Sequence, residues 1–469
     1  MRNELLVEPK ITPVLDPGFV PAVLWNRAYE RAVRAEPGSL PLVIALSRLD
    51  GICFHHSTRI LPHAGANIAL NRKYVERIVK FLLWQKGGSR IHIAGCPAVA
   101  ELIAADYRIG GARGFDADLV GRQMFLDAMT VRACAADELP PAREPAVALG
   151  RHLDGCRIGF DLGGSDRKCA AGVDGAVVHS GEVKWDPYFQ KDPAYHLEGI
   201  RDTLRTAAAH LPRVDAIGGS AAGVYVNNEV RVASLFRGVP PAEFERSVRG
   251  IFLRLREEWG GIPFEVVNDG EVTALAGSMS MNDHSVLGIS MGTSTAAGYC
   301  DARGRITVWL NELAFAPVDY REDAPPDEWS GDLGCGVQYF SQQGVARLAP
   351  LAGLAFPQEM KLAERLEEVQ RLMAAGDARA RRIYETIGVC FGYAIAHYAD
   401  FYDLRNLLVL GRVTSGPGGE LLLAKAGEVL AAEFPDLAER VRLRTPSETD
   451  KRHGQAIAAA SLPRIVRRQ

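Results

Sequence analysis

The strings DLGGSDRK (Asp161–Lys168), NDGEVTALAG (Asn268–Gly277) and GISMGTSTAAG (Gly288–Gly298) follow one another in that order along the chain. The first comes after the apolar run RIGF and before CAAGVDGAVV, which predicts a β-hairpin with Gly163 and Gly164 at its tip. Glycines let backbone N–H groups approach an anion closely, so such a tip can form a phosphate-binding concavity. Ser165 adds a hydroxyl donor, and Arg167 and Lys168 can meet terminal-phosphate charge. Asp161 is placed to hold Mg2+ through water, because magnesium prefers carboxylates yet keeps much of its hydration. The third string has the same character, with Gly292 followed by Thr293, Ser294 and small alanines. Taken alone, the first string reads equally as an ordinary Gly-Gly hairpin with a capping Asp. The patterns GxxxxGK[ST] and GxGxxG are absent, so nucleotide binding at a helix N-terminus is not supported.

Between the two turns, FEVVND ends an apolar strand at Asn268 and Asp269, with a helix predicted to follow. Side chains at such a strand end sit on the lip of a cleft. Phosphoryl transfer to an alcohol needs a base for the hydroxyl proton, and Asp269 is the candidate. Asn268 both donates and accepts, which suits gripping a neighbouring hydroxyl. The competing reading makes Asp269 a helix N-cap, a common place for Asp. The flanking phosphate turns favour the catalytic reading.

The 469 residues imply two or three domains, and 47% hydrophobic content with a net charge near −3 implies a soluble globular protein. That charge offers no general attraction to nucleic acid or acidic membranes. No uninterrupted apolar stretch approaches a membrane span, and MRNELLVEPK lacks a secretory pattern. The eight cysteines include no CxxC pair, which fits reduced thiols and a cytoplasmic protein.

Three units are expected: residues 1–150, 151–280 and 281–469, with the C-terminal helix returning to the second. The first ends at the Pro-rich stretch Leu139–Pro145 and contains strands at Leu40–Ser47, Ile52–Ser57 and Arg90–Gly95 with a helix at Lys73–Gln85. The second repeats that order, through a helix at His196–His210 and a strand at Val214–Gly223. Two readings of residues 1–150 follow, a degenerate half-copy of the second unit or an unrelated α/β accessory domain, with the latter favoured. A helix is expected at Ala242–Trp259, and a late strand Asn406–Arg412 precedes GPGGE and another helix. Alternating strands and helices argue for α/β layers with the nucleotide in a cleft between lobes.

With these motifs in place, residues 155–462 resemble the sugar kinases of the ROK family, in the actin and sugar-kinase superfamily. DLGGS, VVNDGEVTALAG and GTSTAAG carry the resemblance. It implies a two-lobed actin-like, ribonuclease-H-like α/β fold with an additional N-terminal α/β domain. It also implies an ATP- and Mg2+-dependent enzyme that phosphorylates a hydroxyl of a sugar or sugar-like polyol. Asp269 would then be the base and Asn268 would contact the sugar. AIGGSAAGVYVNNEV (Ala216–Val230) resembles the strand and turn beside the sugar, which implies roles for Ser220 and Gly223. LLVLGRVTSGPGGE (Leu407–Glu420) resembles the segment that cradles adenosine, which implies Gly411 and Arg412. The resemblance also implies a homodimer.

Two departures lie on the sugar side. The family's Glu-x-Gly-His string supplies a sugar-contacting Glu and a zinc-binding His; in NELAF, Glu312 matches but Phe315 replaces the His. The cysteine cluster survives only as Cys335, and one thiolate cannot make a four-ligand zinc site, so no zinc is expected. If Gly334, Cys335 and Tyr339 set the register, Val337 replaces a second sugar-contacting Glu.

Other residues read less sharply. Strand alternation sends His55 and His56 to opposite faces, so a shared metal with His63 is not expected. Lys184–His196, with Trp185 and Tyr188, reads as a sugar-lining segment or a packed loop, and LFRG (Leu235–Gly238) offers Arg237 to an acidic group on the substrate. Some relatives are sugar-responsive regulators with a DNA-binding module ahead of the same core. The first 150 residues hold 18 Lys/Arg against 15 Asp/Glu without a basic recognition helix, which argues against nucleic acid. A non-catalytic relative that binds ATP or sugar is the remaining alternative.

Overall fold

The computed structural model describes residues 5–144, 149–445 and 448–465. The N-terminal unit is built on a four-stranded sheet of β1 (Leu40–Ser47), β2 (Cys53–Ile60), β3 (Arg90–Ala94) and β4 (Thr130–Cys134), in the order β2-β1-β3-β4. The helices Ala22–Ala35 and Asn67–Lys86 supply most of the apolar surface buried with it.

The small lobe has β5 (Cys156–Leu162), β6 (Asp166–Val173), β7 (Ala176–Lys184), β8 (Ala216–Ala221), the two-stranded ribbon β9 (Val224–Val226) and β10 (Glu229–Val232), and β11 (Phe264–Asn268). Its main sheet runs β11-β8-β5-β6-β7. The pairs β5/β8 and β8/β11 are parallel, whereas β5/β6 and β6/β7 are antiparallel. Every residue of β5 is buried, as expected of a strand covered on both faces. One cover is the helix Glu448–Ala460, which lies on the small lobe. Its backbone sits so close that a Cβ at Gly159 or Gly218 would fall 1.7 Å from the carbonyl oxygen of Ala456 or Ala459.

The large lobe has β12 (Val286–Met291), β13 (Thr295–Cys300), β14 (Asn406–Leu410) and β15 (Arg442–Arg444), in the order β13-β12-β14-β15. The helices Ala378–Ala399 and Gly416–Glu433 pack on each other to form much of its core. The helix Asp269–Met281 lies between the lobes and touches β12, β13 and the C-terminal helix.

The less favoured of the two readings of residues 1–150 loses support, and one expected helix changes. The half-copy reading requires the first strand of the N-terminal unit to pair in parallel with the strand after its helix, as β5 does with β8. Instead β1 and β3 are antiparallel, so the same order of elements produces a different sheet. The expected helix 242–259 is broken: Pro241–Glu243 and the wide turns of Phe244–Val248 precede a separate helix, Ile251–Glu258. The carbonyl of Arg249 accepts from the Val230 amide of β10, and Gly250 follows with little helix propensity.

The N-terminal unit shares its interior with both lobes. Leu15, Phe19, Val23, Leu24 and Phe81 are buried in the large-lobe core, while Val224 and Tyr320 are buried in the N-terminal core. All eight cysteines are unpaired. Among the described residues, no helix is long and apolar enough to cross a membrane.

Candidate active site in the interlobe cleft

The carboxyl ends of β5, β8, β11, β12 and β14 bring together the strings read from the sequence. Asn268 ends β11 and is the N-cap of the helix Asp269–Met281; its Oδ1 accepts from the Gly270 amide at 2.7 Å. Its Nδ2 donates to the Gly223 carbonyl at 2.7 Å. The cap reading therefore belongs to Asn268, which retains one N–H and one lone pair for another partner. Asp269 is the first helical residue, half-buried, with Oδ1 accepting from the Gly270 amide at 3.0 Å. Desolvation raises its pKa.

Three further carboxylates stand around it. Glu312 is pushed up to about 7 by burial and by the charge of Asp269. Glu271, one helical step further in, is pushed up to about 8 by burial, with the charge of Glu312 adding to the shift. Asp161 is pushed up to about 6 by burial, and the neighbouring charge of Asp269 adds to this. The carboxylates of this partly dry cleft repel one another when ionised, which adds to burial in keeping Glu271 protonated and Glu312 poised to hold a proton near neutral pH.

Several phosphate-side expectations are corrected. The Gly163 amide donates to the Asp166 carbonyl at 2.9 Å within the hairpin, so that N–H cannot meet a phosphate. A Cβ on Gly164 would lie 2.0 Å from Tyr188 Oη, so this glycine makes room for a tyrosine. The amides of Gly164 and Ser165 have no partner among the described residues. Strand alternation places Arg167 and Lys168 on opposite faces. Arg167 Nη1 donates to the Gly199 carbonyl and Thr203 Oγ1 at 2.8 and 2.7 Å and pairs with Asp202 at 2.7 Å, so it anchors a helix rather than a phosphate. Lys168 faces the cleft side with Asp166 at 3.3 Å and lowers the pKa of Asp161. Ser165 Oγ donates to Asp166 at 3.0 Å.

The second turn is more open. Thr293 and Ser294 are exposed at the β12–β13 tip, their hydroxyls unpartnered among the described residues. The Gly292 carbonyl accepts from the Gln342 amide at 2.9 Å, which fixes the turn on the helix Gln342–Leu351. Gly411 (φ 102°) brings the end of β14 against β12: a Cβ there would lie 2.5 Å from the Met291 carbonyl oxygen. Arg412 next to it is exposed.

On the sugar side, Ser220 is fully buried and donates to Asp161 at 2.6 Å, so it positions that carboxylate and does not reach a substrate. Gly223, Asn268 and Glu312 line a cavity of about 250 Å³. Arg48, Asp50, Ile52 and Phe125 of the N-terminal unit close its other wall. Trp185 Nε1 donates to the Gly163 carbonyl at 2.7 Å, and Arg237 lies 4.1 Å over the Tyr188 ring, so this stretch is a packed loop supporting the hairpin.

Where the zinc-binding His was expected to be missing, Phe315 stacks on Trp84 of the N-terminal unit with ring centroids 4.2 Å apart. Cys335 is buried beside Ala314 and Val337. Under them lies an ionic cluster absent from the sequence reading. Lys80, fully buried, meets Asp116 at 2.8 Å and Asp332 at 3.0 Å, and Arg77, Arg113 and Glu76 complete it. Three basic and three acidic groups balance the charge. The amides of Asn311 and Glu312 donate to the Gln85 and Trp84 carbonyls at 2.9 Å, so the end of the helix Asn67–Lys86 carries the Glu312 loop. The detectable signal was a long helix bearing Arg77 and Lys80 amid apolar residues, which is costly unless the charges are paired in the fold. The three histidines lie apart: His55 bonds the Pro140 carbonyl, His63 bonds Asn71, and His56 stacks on Phe401.

Neither a protein-family model nor a curated protein matches the sequence. Solved structures do match its fold. A ROK hexokinase from Thermus thermophilus is similar at 20% identity and a TM-score of 0.52, over 65% of this chain and 96% of that one. A ROK-family transcriptional regulator, a homolog of the E. coli MLC protein, is similar at 17% identity and a TM-score of 0.52, over 66% of this chain and 78% of that one. Over about two thirds of its length, the chain has the two-lobed α/β fold of ROK sugar kinases.

Proposed function

We propose that the protein is an ATP-dependent kinase acting on a hydroxyl of a sugar or sugar-like polyol, with Asp269 as the general base. The observation that carries this reading is the half-buried Asp269 carboxylate directly after β11, near enough to Glu312 of the cavity and to Asp161 of the hairpin for its charge to raise both of their pKa values. Burial makes Asp269 a stronger base than a solvated aspartate. Asn268 and Glu312 orient the acceptor hydroxyls; Glu312, with a pKa of about 7, can donate or accept at neutral pH. The Thr293 and Ser294 amides and hydroxyls, those of Gly164 and Ser165, and Lys168 hold the phosphates, and Gly411 and Arg412 border the adenosine.

The coupled carboxylates Asp161 and Asp269 offer hard oxygen donors, which fits a hydrated magnesium held by Asp161. Bound there, the ion would neutralise phosphate charge. Ser220 keeps Asp161 in place for it.

The test is sugar-dependent ADP release across hexoses, amino sugars, sugar acids and polyols. The account expects turnover with at least one acceptor. The equal fold similarity to a regulator favours one other reading, a sugar sensor. Tight sugar binding with no ADP release from any acceptor would establish that reading and refute the kinase.

A further inference from the structure

The cavity beside Asn268 has a charged group that phosphoryl transfer does not use. Arg48, at the end of β1, is 7% exposed and lines the cavity wall opposite Glu312. Its Nε donates to the Gly87 carbonyl at 3.1 Å, and its Nη2 donates to the Val308 carbonyl at 2.7 Å and to the Lys86 carbonyl. Nη1 makes no hydrogen bond to a described residue. The guanidinium lies 4.6 Å over the Phe125 ring and 5.4 Å over the Phe54 ring, so its plane is fixed. Among the described residues, no carboxylate comes within 4.0 Å of it, whereas most of the buried basic side chains, Arg77, Lys80 and Arg157 among them, have such a partner.

A buried guanidinium met only by carbonyls keeps a charge that no acid neutralises, so an anion that reaches it gains an ion pair. The nearby titratable groups do not fill that role. Asp50 and Glu144 act on Arg48 from beyond pairing distance, and Lys86 repels it. Glu271 carries its proton at neutral pH because burial pushes it up to about 8. Burial lowers Arg48 only to about 10, so it stays charged.

We propose that Arg48 selects the substrate: the acceptor carries an oxyanion, a carboxylate or a phosphate, which pairs with this guanidinium while its reacting hydroxyl lies at Asp269. The two N–H groups of Nη1, the ones not given to carbonyls, can donate to such an oxyanion, and the stacked rings hold them in place. The inference rests on the kinase reading for the reaction but not for the binding.

The experiment is calorimetric binding to the full-length protein without ATP, comparing glucose, gluconate, glucuronate, glucose 6-phosphate and inorganic phosphate. At least one anionic sugar should bind about 10-fold or more tighter than glucose, roughly 1.4 kcal/mol. Preference for the acids assigns a carboxylate, and preference for the ester a phosphate. Arg48→Gln should abolish the preference of the anionic sugar over glucose, and Arg48→Lys should restore part of it. The wild-type panel stands even if a variant fails to fold. Glucose binding as tightly as every anionic sugar, or inorganic phosphate binding as tightly as the best of them, overturns the assignment. An anionic sugar that binds selectively without ADP release leaves Arg48 assigned and refutes the kinase; turnover restricted to neutral sugars does the reverse.

Discussion

Individual side chains in the cleft divide into those that face a ligand and those that hold the first group still. Asn268 and Ser220 look alike as substrate contacts in the sequence, yet Ser220 is taken up by Asp161, whereas Asn268 caps a helix and still keeps one N–H and one lone pair for a substrate. Sequence spacing located their elements correctly but could not tell which polar atoms the backbone would use. Arg167 shows the same limit: adjacent basic residues look equivalent until alternation assigns them to opposite faces. Glu271 makes a testable case of burial. Its folded pKa, about 8, lies above its ordinary value of 4.5, so the native state keeps a proton that the unfolded chain releases. The resulting stability is complete below about pH 4.5 and lost as pH rises through about 8. Glu271→Gln mimics the protonated acid. Thermal unfolding should show the variant more stable than wild type at pH 8.5 and nearly equal to it at pH 5.

At the level of elements, the helix Asn67–Lys86 accounts for what replaces the missing zinc motif. Its end carries Trp84 to Phe315 and its carbonyls to the Asn311–Glu312 turn, while Lys80 and Arg77 tie Asp116 and Asp332 beneath. Stacking and a balanced ion cluster hold the Glu312 loop. Lys80→Met leaves two acidic groups short of a partner in the interior. Loss of one member of a buried ion network costs about 3–5 kcal/mol. Urea unfolding should therefore show a large fall in midpoint with little change in slope. The hairpins and the β11-to-helix junction were legible because Gly pairs, alternation and a polar cap are local signals. The ion cluster was not, because its members come from residues 76–80, 113–116 and 332 and meet only in the fold.

For the whole molecule, the N-terminal unit is a wall of the cavity and a part of two cores. The sequence marked it as a separate domain, and its own sheet is continuous, but its apolar faces are completed by Tyr320, Val224 and the large lobe. A chain beginning at residue 149 would expose Leu310, Phe315 and Tyr320 together. Size-exclusion chromatography should show it aggregating, whereas a monodisperse, fully active fragment would refute the shared-core description. The two-lobed core was readable from three ordered strings; the closed sugar side was not, since it depends on how a unit of different sheet topology docks.

The most direct measurement compares Asp269→Asn with wild type, using the best acceptor and following kcat together with ATP affinity. If Asp269 takes the hydroxyl proton, kcat falls by about 10²–10⁴ while ATP binds as before. A variant that keeps the wild-type kcat would contradict the account, because the amide cannot act as that base.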